Sequence, residues 1–282
     1  MTAWRGRCVV ITGAASGIGE ALARHLAPQG ARLLLADVDA PRLQAVAQSL
    51  HEAGAACIAQ ACDVADAGAV HALADAAQRE FGGADVLVNN AGVALVAPVG
   101  GAGSEHARWL MDINFWGVVH GCQAFAPQLR TQPGRSVVNV SSVFAMVSMP
   151  TQAIYNASKA AVRGFSDALR EEWRDSGTQV LCVHPGGIRT RIVQQARLGD
   201  ISAVADSAQA LHAQFDRMAR TSAEDAAAAI ARAVVERRTR LLIGADAHVG
   251  DWLHRLAPAR SSAWFTALAR RQRERLARKT AR

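Results

Sequence analysis

A strand that runs without a break into a glycine turn and then a helix is the strongest constraint in this chain. Arg7-Cys-Val-Val-Ile-Thr12 is short and apolar, Gly13-Ala-Ala-Ser-Gly17-Ile-Gly19 follows directly, and Glu20, Leu22, Ala23 and Leu26 continue as a helix. Glycines let the backbone turn tightly and approach a pyrophosphate, whose charge meets the unpaired amides and the positive end of the helix dipole. Gly13, Ser16, Gly17, Ile18 and Gly19 are therefore candidate nucleotide contacts. The next strand, Ala31-Arg-Leu-Leu-Leu-Ala36, ends at Asp37, eighteen residues after Gly19, where a carboxylate can accept bonds from an adenosine ribose. That carboxylate repels the extra phosphate of NADP, and Ala15, Ser16 and Val38 offer no cationic clamp, so NAD is the expected cofactor. Arg32 begins its strand, and Arg42 reads as the turn into the next helix.

Strand and helix patterns then alternate to residue 256. Helices are expected at 41–53, 65–81, 104 to about 130, 151–175, 221–237 and 247–256, and strands at 55–62, 85–89, 135–142, 179–184 and 240–244. This predicts an α/β class fold, one doubly wound parallel sheet with helices on both faces, in a single domain over residues 1–258. Asp63-Val64 follows the third strand, where Asp63 either bonds adenine or caps the next helix. The fourth strand runs into Asn90-Ala91-Gly92, whose small residues permit close backbone approach at the point where the first and fourth strands part. Ser104 is the expected cap of the long helix, and Asn114 within it is a poor helix former. Asn114 either makes a side-chain bond that opens the backbone ladder to water or is simply tolerated on the helix face.

The loop Pro185-Gly186-Gly187-Ile188-Arg-Thr190 lies at the same carboxyl edge of the sheet. Residues 192–215, alanine-rich and weakly patterned, read as a lid over substrate spanning about 190–220, or as an ordinary pair of surface helices.

Net charge is +7, but from Arg260 onward there are eight Lys/Arg against Glu274 alone, which leaves 23 of each sign before it. The excess belongs to a C-terminal extension, residues 259–282, and argues against nucleic acid as the partner of the body. In that extension Trp264, Phe265, Leu268 and Leu276 sit among Arg270, Arg271, Arg273, Arg275, Arg278 and Lys279, an imperfect amphipathic helix. Peripheral membrane docking, a subunit contact and a solvated extension are its three readings. No apolar run reaches membrane-spanning length, and the strand-turn-helix begins too early for a signal peptide. Cys8, Cys57, Cys62, Cys122 and Cys182 are odd in number and scattered, which reads as reduced core thiols in a cytoplasmic protein without disulfides or metal.

Tyr155 is the only tyrosine, four residues before Lys159 and thirteen after Ser142. Four residues on a helix place phenol and ammonium on one face, one turn apart. A core tyrosine beside a solvated lysine has the same spacing, so the pair alone does not decide.

Taken together, Thr12-Gly13-x-x-x-Gly17-x-Gly19, Asn89-Asn90-Ala91-Gly92, Asn114 with Gly117, Ser142, Tyr155-x-x-x-Lys159 and Pro185-Gly186 with Thr190 resemble the short-chain dehydrogenases/reductases over roughly residues 5 to 245. The resemblance implies a Rossmann-like sheet of seven parallel strands, NAD(P), and homodimers or homotetramers formed through the helices carrying Asn114 and Tyr155. It implies that Tyr155 is the proton donor and base, that Ser142 holds the substrate oxygen, and that Lys159 bonds the nicotinamide ribose. It implies that Asn114 orders a relay water, and that Asp63, Val64, Asn90, Ala91, Gly92, Pro185, Gly186, Ile188 and Thr190 join the cofactor site. A free tyrosine titrates near ~10, so base chemistry calls for lowering by two to three pH units, roughly 3 to 4 kcal/mol, from Lys159 and an oxidised nicotinamide.

The expected activity is interconversion of a secondary alcohol and a ketone. Phe144, Met146, Val147, Met149, the run from Leu95 to Val99 and the alanine-rich lid suggest an apolar substrate, and the same residues also read simply as core. The alternatives are a non-catalytic nucleotide-binding interaction or redox-sensing protein and, among enzymes, an oxoacyl reductase.

Overall fold

Strands that are apolar at every position need cover on both faces, and the chain supplies it by alternating strand and helix. The computed structural model describes residues 3–202 and 204–280. In chain order its main elements are β1 (Cys8–Thr12), α1 (Gly17–Leu26), β2 (Arg32–Asp37), α2 (Ala40–Glu52), β3 (Cys57–Ala61), α3 (Ala67–Phe81), β4 (Val86–Asn89), a short β5 (Leu95–Val96) and α4 (Ser104–Met111). A π-helical turn (Asp112–Trp116), α5 (Gly117–Leu129), β6 (Ser136–Val140), α6 (Ala153–Glu172), β7 (Gln179–Pro185) and a short β8 (Arg197–Leu198) follow. The chain continues through α7 (Ala208–Met218), α8 (Ala223–Val235), β9 (Arg240–Ile243), α9 (Ala245–Leu256) and α10 (Ser261–Thr280).

Seven parallel strands form one sheet in the order β3-β2-β1-β4-β6-β7-β9. The order in which successive strands are added reverses between β1 and β4, which opens a crevice at their carboxyl ends. Alternate residues of β1 serve opposite layers: Val9 and Ile11 join a core with α1, α2 and α8, while Cys8 and Val10 join one with α3, α5 and α6. Phe125 is fully buried in the second core, and trimming such a side chain to alanine costs about 3–5 kcal/mol. A buried polar chain ties that layer together. Asn89 Nδ2 donates to Asn139 Oδ1 at 2.9 Å, and Asn139 Nδ2 donates to Ser166 Oγ at 3.0 Å.

Several boundaries differ from the sequence reading for local reasons. Asp66, not Asp63, caps α3 by accepting from Gly68, while Asp63 accepts from Ala65 one turn earlier. Ser104 is the first residue of α4 rather than its cap, and Gly103 holds the cap position. The long helix expected over 104–130 is interrupted by the π-helical turn around Asn114, and the strand at 179–184 takes in Pro185. Residues 190–220 hold β8 and α7, and β8 pairs with β5, a pairing the sequence pattern does not announce.

The basic segment is helical from Ser261, and its first turns dock on the body: Ser148 N donates to Ser262 Oγ at 3.0 Å. The side chains of Arg273, Arg275, Leu276, Arg278 and Lys279, on which the expected amphipathic stripe rests, lie outside the described residues. Among the described residues no helix is long and apolar enough to cross a membrane. All five cysteines are buried and free.

His184, 1% exposed on β7, donates from Nδ1 to the Ser142 carbonyl at 3.2 Å. Burial pushes its imidazole down to about 4 from the ordinary 6.5. Between those values the unfolded chain binds a proton that the folded chain does not, so this stability is present above pH 6.5 and lost as pH falls through about 4, on the order of 3 kcal/mol in all. Urea unfolding followed from pH 7 to pH 4 should show a shallower loss of stability in His184→Asn than in the natural chain.

Candidate active site

The crevice is built from backbone that no side chain is allowed to fill. A Cβ on Gly13 (φ 66°) would lie 2.8 Å from Ala91 Cα, and one on Gly19 would lie 2.2 Å from the Gly13 carbonyl oxygen. The turn therefore presses against the loop after β4. Asn90 Nδ2 donates to the Thr12 and Gly13 carbonyls at 2.9 and 3.1 Å, and Thr12 Oγ1 accepts from the Asn90 and Ala91 amides, both at 3.1 Å. Ser16 stands at the cap position of α1 with no side-chain capping bond. The first amides of the helix are thus left to an anion, and a dinucleotide pyrophosphate fits this donor set.

On the far side of the crevice, Gly187 N donates to Asp246 Oδ2 at 2.6 Å and Ile188 bridges Thr221. This holds the loop from Pro185 to Thr190 over the glycine turn, and the Thr190 methyl lies 3.2 Å from where a Gly17 Cβ would be.

At the end of β2, Asp37 accepts from the Ala15 amide at 2.9 Å and the Asp39 amide at 3.0 Å. Arg42, in the first turn of α2 as its sequence position suggests, also sends its side chain to this corner. Its Nε donates to the Ala15 carbonyl, and its guanidinium faces Glu20 at 3.7 Å. The nucleotide corner therefore holds a cation as well as a carboxylate. Asp63 is exposed, and Val64 is packed against α5, where a Cβ on Gly117 would lie 2.7 Å from its methyl.

Asn114 is fully buried. Its Oδ1 accepts from Val93 N at 2.8 Å, and its Nδ2 donates to the Val93 carbonyl at 3.0 Å and to Ser158 Oγ at 3.2 Å. The π-helical turn lets this side chain bind the strand-end backbone and α6 together. Lys159 is 4% exposed, its Nζ donates to the Val140 carbonyl at 3.0 Å, and Ser141 Oγ donates to the Lys159 carbonyl at 2.7 Å. A Cβ on Gly92 would lie 3.3 Å from Asn114 Oδ1 and 3.4 Å from Lys159 Nζ, so three separate elements meet there. Ser142, just past the end of β6, accepts from Phe144 N at 3.2 Å and stands beside the Tyr155 phenol, whose proton loss it favours.

The electrostatics depart from the expectation for Tyr155. Burial raises its pKa to about 12, with the Ser142 bond acting the other way. Burial also lowers Lys159 to about 8, which leaves it mainly protonated at neutral pH. Lys159 Nζ stands 5.8 Å from the centre of the tyrosine ring, and the loss of water around the phenol outweighs it. The protein by itself thus holds Tyr155 as the neutral acid.

The apolar residues divide. Met146 and Val147 are core, packed with Val143 and Ala247. Phe144 and Met149 remain partly exposed, and Tyr155 and Ile154 pack against Leu95, Ala97 and Leu110.

Four positioning residues were not singled out from the sequence. Thr12 stands inside the glycine motif and Ser158 beside Lys159, where spacing gives a hint. Asp246 and Val93 carry no such signal, because their part in the site arises only when distant segments meet.

The family model described as short chain dehydrogenase matches residues 7–200. The putative oxidoreductase SadH of Mycobacterium tuberculosis (strain ATCC 25618 / H37Rv) is 38% identical over 259 residues, 91% of this chain and 92% of that protein. The D-threitol dehydrogenase of Mycolicibacterium smegmatis is 38% identical over 191 residues, 68% of this chain and 74% of that protein. A short chain dehydrogenase/reductase from Burkholderia phymatum, solved in complex with NAD, is similar with a TM-score of 0.79 at 31% identity, covering 91% of this chain and 96% of that one.

Proposed function

This chain belongs to the short-chain dehydrogenase/reductase family, and from that premise we propose that it is an NAD-dependent oxidoreductase interconverting a secondary alcohol and a ketone, with Tyr155 as its acid and base. The observation that carries this reading is the convergence of Asn114, Ser142, Tyr155 and Lys159 at the carboxyl edge of the sheet beside the glycine turn.

The nicotinamide, when bound, supplies or receives the hydride. Ser142 and Tyr155, side by side at the crevice, hold the substrate oxygen between two hydroxyls. The neutral phenol, raised to about 12, is ready to donate its proton to the alkoxide formed in ketone reduction. Alcohol oxidation needs the phenolate, which the nearby Lys159 ammonium, 5.8 Å from the ring centre, stabilises. Lys159 also has the reach to bond the nicotinamide ribose, and Asn114 braces the backbone beside which a relay water is held.

The cofactor assignment is supported by Asp37, whose carboxylate is fixed at the ribose corner by two amides. The Arg42 guanidinium at the same corner favours NADP as the second reading. The D-threitol dehydrogenase relative supports chemistry at a CH–OH group, and Phe144 and Met149 support an apolar substrate face. Trp116, exposed on the Asn114 turn, supports homo-oligomer formation through that helix. The buried free thiols support a cytoplasmic setting. Exposed Trp252, Leu256, Trp264 and Leu268, with Arg270 and Arg271 alongside, support peripheral contact with an anionic membrane surface. Co-sedimentation with anionic vesicles, lost in the double variant Trp252→Ser/Trp264→Ser, is the expected result; equal sedimentation of both chains removes the membrane contact.

Tyr155→Phe should lower turnover at least a hundredfold, on the order expected for a general acid–base group, across a panel of secondary alcohols and ketones, while NADH binding measured by fluorescence changes little. Retained turnover overturns the mechanism. Asp37→Ser should shift the ratio of kcat/KM for NAD over NADP toward NADP by about tenfold or more, the size of one lost charge repulsion. An unchanged ratio in that variant assigns nucleotide choice to Arg42 instead.

A further inference from the structure

The connection over residues 143–150 leaves β6 at Ser142 and enters the segment that leads to Tyr155, so its shape sets how these two hydroxyls face each other. It has little regular structure of its own beyond a single turn at Val143–Ala145. Other elements hold it instead. Asn156 of α6 donates from Nδ2 to the Phe144 carbonyl at 2.8 Å and the Val147 carbonyl at 2.9 Å. Arg240 of β9 reaches Met146 Sδ at 2.8 Å while paired with Asp251 of α9. Ser262 and Thr266 of α10 bond the two sides of the Ser148 peptide, accepting from its amide at 3.0 Å and donating to its carbonyl at 3.4 Å.

Phe144, partly buried at the margin of the Val143, Met146, Val147 and Ala247 cluster, is the aromatic side chain of this connection and contacts Tyr155. It packs between two rings, each edge to face: Tyr155 at 6.1 Å and 85°, and Phe265 at 6.4 Å and 89°. Phe265 is itself backed by α9, where a Cβ on Gly250 would lie 3.5 Å from Phe265 Cε2 and 2.7 Å from Val143. A ring held on one side alone is free to rotate and tilt. Here the second ring removes that freedom, and reaction rates are sensitive to displacements of an ångström or less at a proton-transfer group.

We propose that the first turns of α10 belong to the active site, with Phe265 acting as a positioning residue that holds Phe144 against Tyr155 and so orients the phenol toward the substrate. This rests on the reading of Tyr155 as the proton-transfer group. It also gives the start of the basic C-terminal segment a purpose that its charge does not suggest.

Because Tyr155 is the only tyrosine, full-length protein labelled with 13C-tyrosine has one ring signal, and that signal reports Tyr155 alone. Phe265→Ala is expected to move this signal and to lower kcat/KM for the best ketone of the panel about tenfold, with NADH affinity unchanged. Ala263→Ser, at an exposed neighbour on the same helix, should do neither. Phe144→Leu should have a similar effect, and adding Phe265→Ala to it should have no further one, because Phe265 acts through Phe144. Phe265→Leu keeps the apolar volume and replaces the alanine variant if that fails to fold. A ring signal unmoved by Phe265→Ala, or additive losses in the double variant, overturns the proposal. If the ring stays unmoved while Tyr155→Phe is inactive, this proposal alone fails. If Tyr155→Phe remains active, the underlying mechanism fails.

Discussion

The cross-link between the ends of β1 and β4 is the contact on which the remainder of the site depends. These two strands are neighbours whose following segments depart to opposite faces of the sheet, so nothing in the sheet ladder itself holds their loops together. Asn90 supplies the link by donating to two carbonyls of the glycine turn, and Thr12 answers by accepting from two amides of the Asn90 loop. Two carbonyls of one loop and two amides of the other are thereby paired across the junction, as buried backbone requires. The absence of a Cβ at Gly13 and Gly19 lets the two loops touch. Gly92, two residues beyond Asn90, is thereby set against Lys159 and Asn114, so the nucleotide end and the reacting end of the crevice share one frame.

A second set of constraints concerns charge and water. Lys159 is buried with its ammonium on a backbone carbonyl, and Tyr155 is held neutral by the same dryness. A protein that dries its acid makes it a better-defined proton donor and a poorer base. The positive field needed to reverse that balance must come in part from what binds in the crevice. Around these groups the supporting polar atoms are spent on backbone: Asn114 on Val93, Ser141 on Lys159, Asn156 on the connection after Ser142. The π-helical turn at Asp112–Trp116 follows from this, because a buried Asn that bonds a neighbouring segment on both faces of its amide does not fit an uninterrupted α-helix.

Much of the architecture was legible in the sequence. The seven strands, the reversal between β1 and β4, and the gathering of the glycine turn, the Asn90 loop and the loop after β7 at one edge all follow from local patterns. The errors were also local in origin. Ser104 and Asp63 resemble helix caps by residue type, yet Gly103 and Asp66 hold the cap positions, because capping depends on where the backbone first turns and not on which polar residue stands nearby. Met146 and Val147 fitted either an apolar substrate face or the core, and are core, since the same apolar run serves either purpose until a helix such as α9 comes to cover it.

The sequence by itself determined the sheet, its chemistry-bearing edge and the pairing of Tyr155 with Lys159, because these rest on periodicity and on spacings within one helix or one turn. Only the tertiary structure decided that Arg42 returns to the glycine turn, that Asp246 clasps Gly187 from 59 residues away in the chain, that burial and not Lys159 dominates the phenol, and that Phe265 stands behind Phe144. Each of these is a contact between segments far apart in sequence or a consequence of excluded water, and neither leaves a periodic trace in the order of the residues.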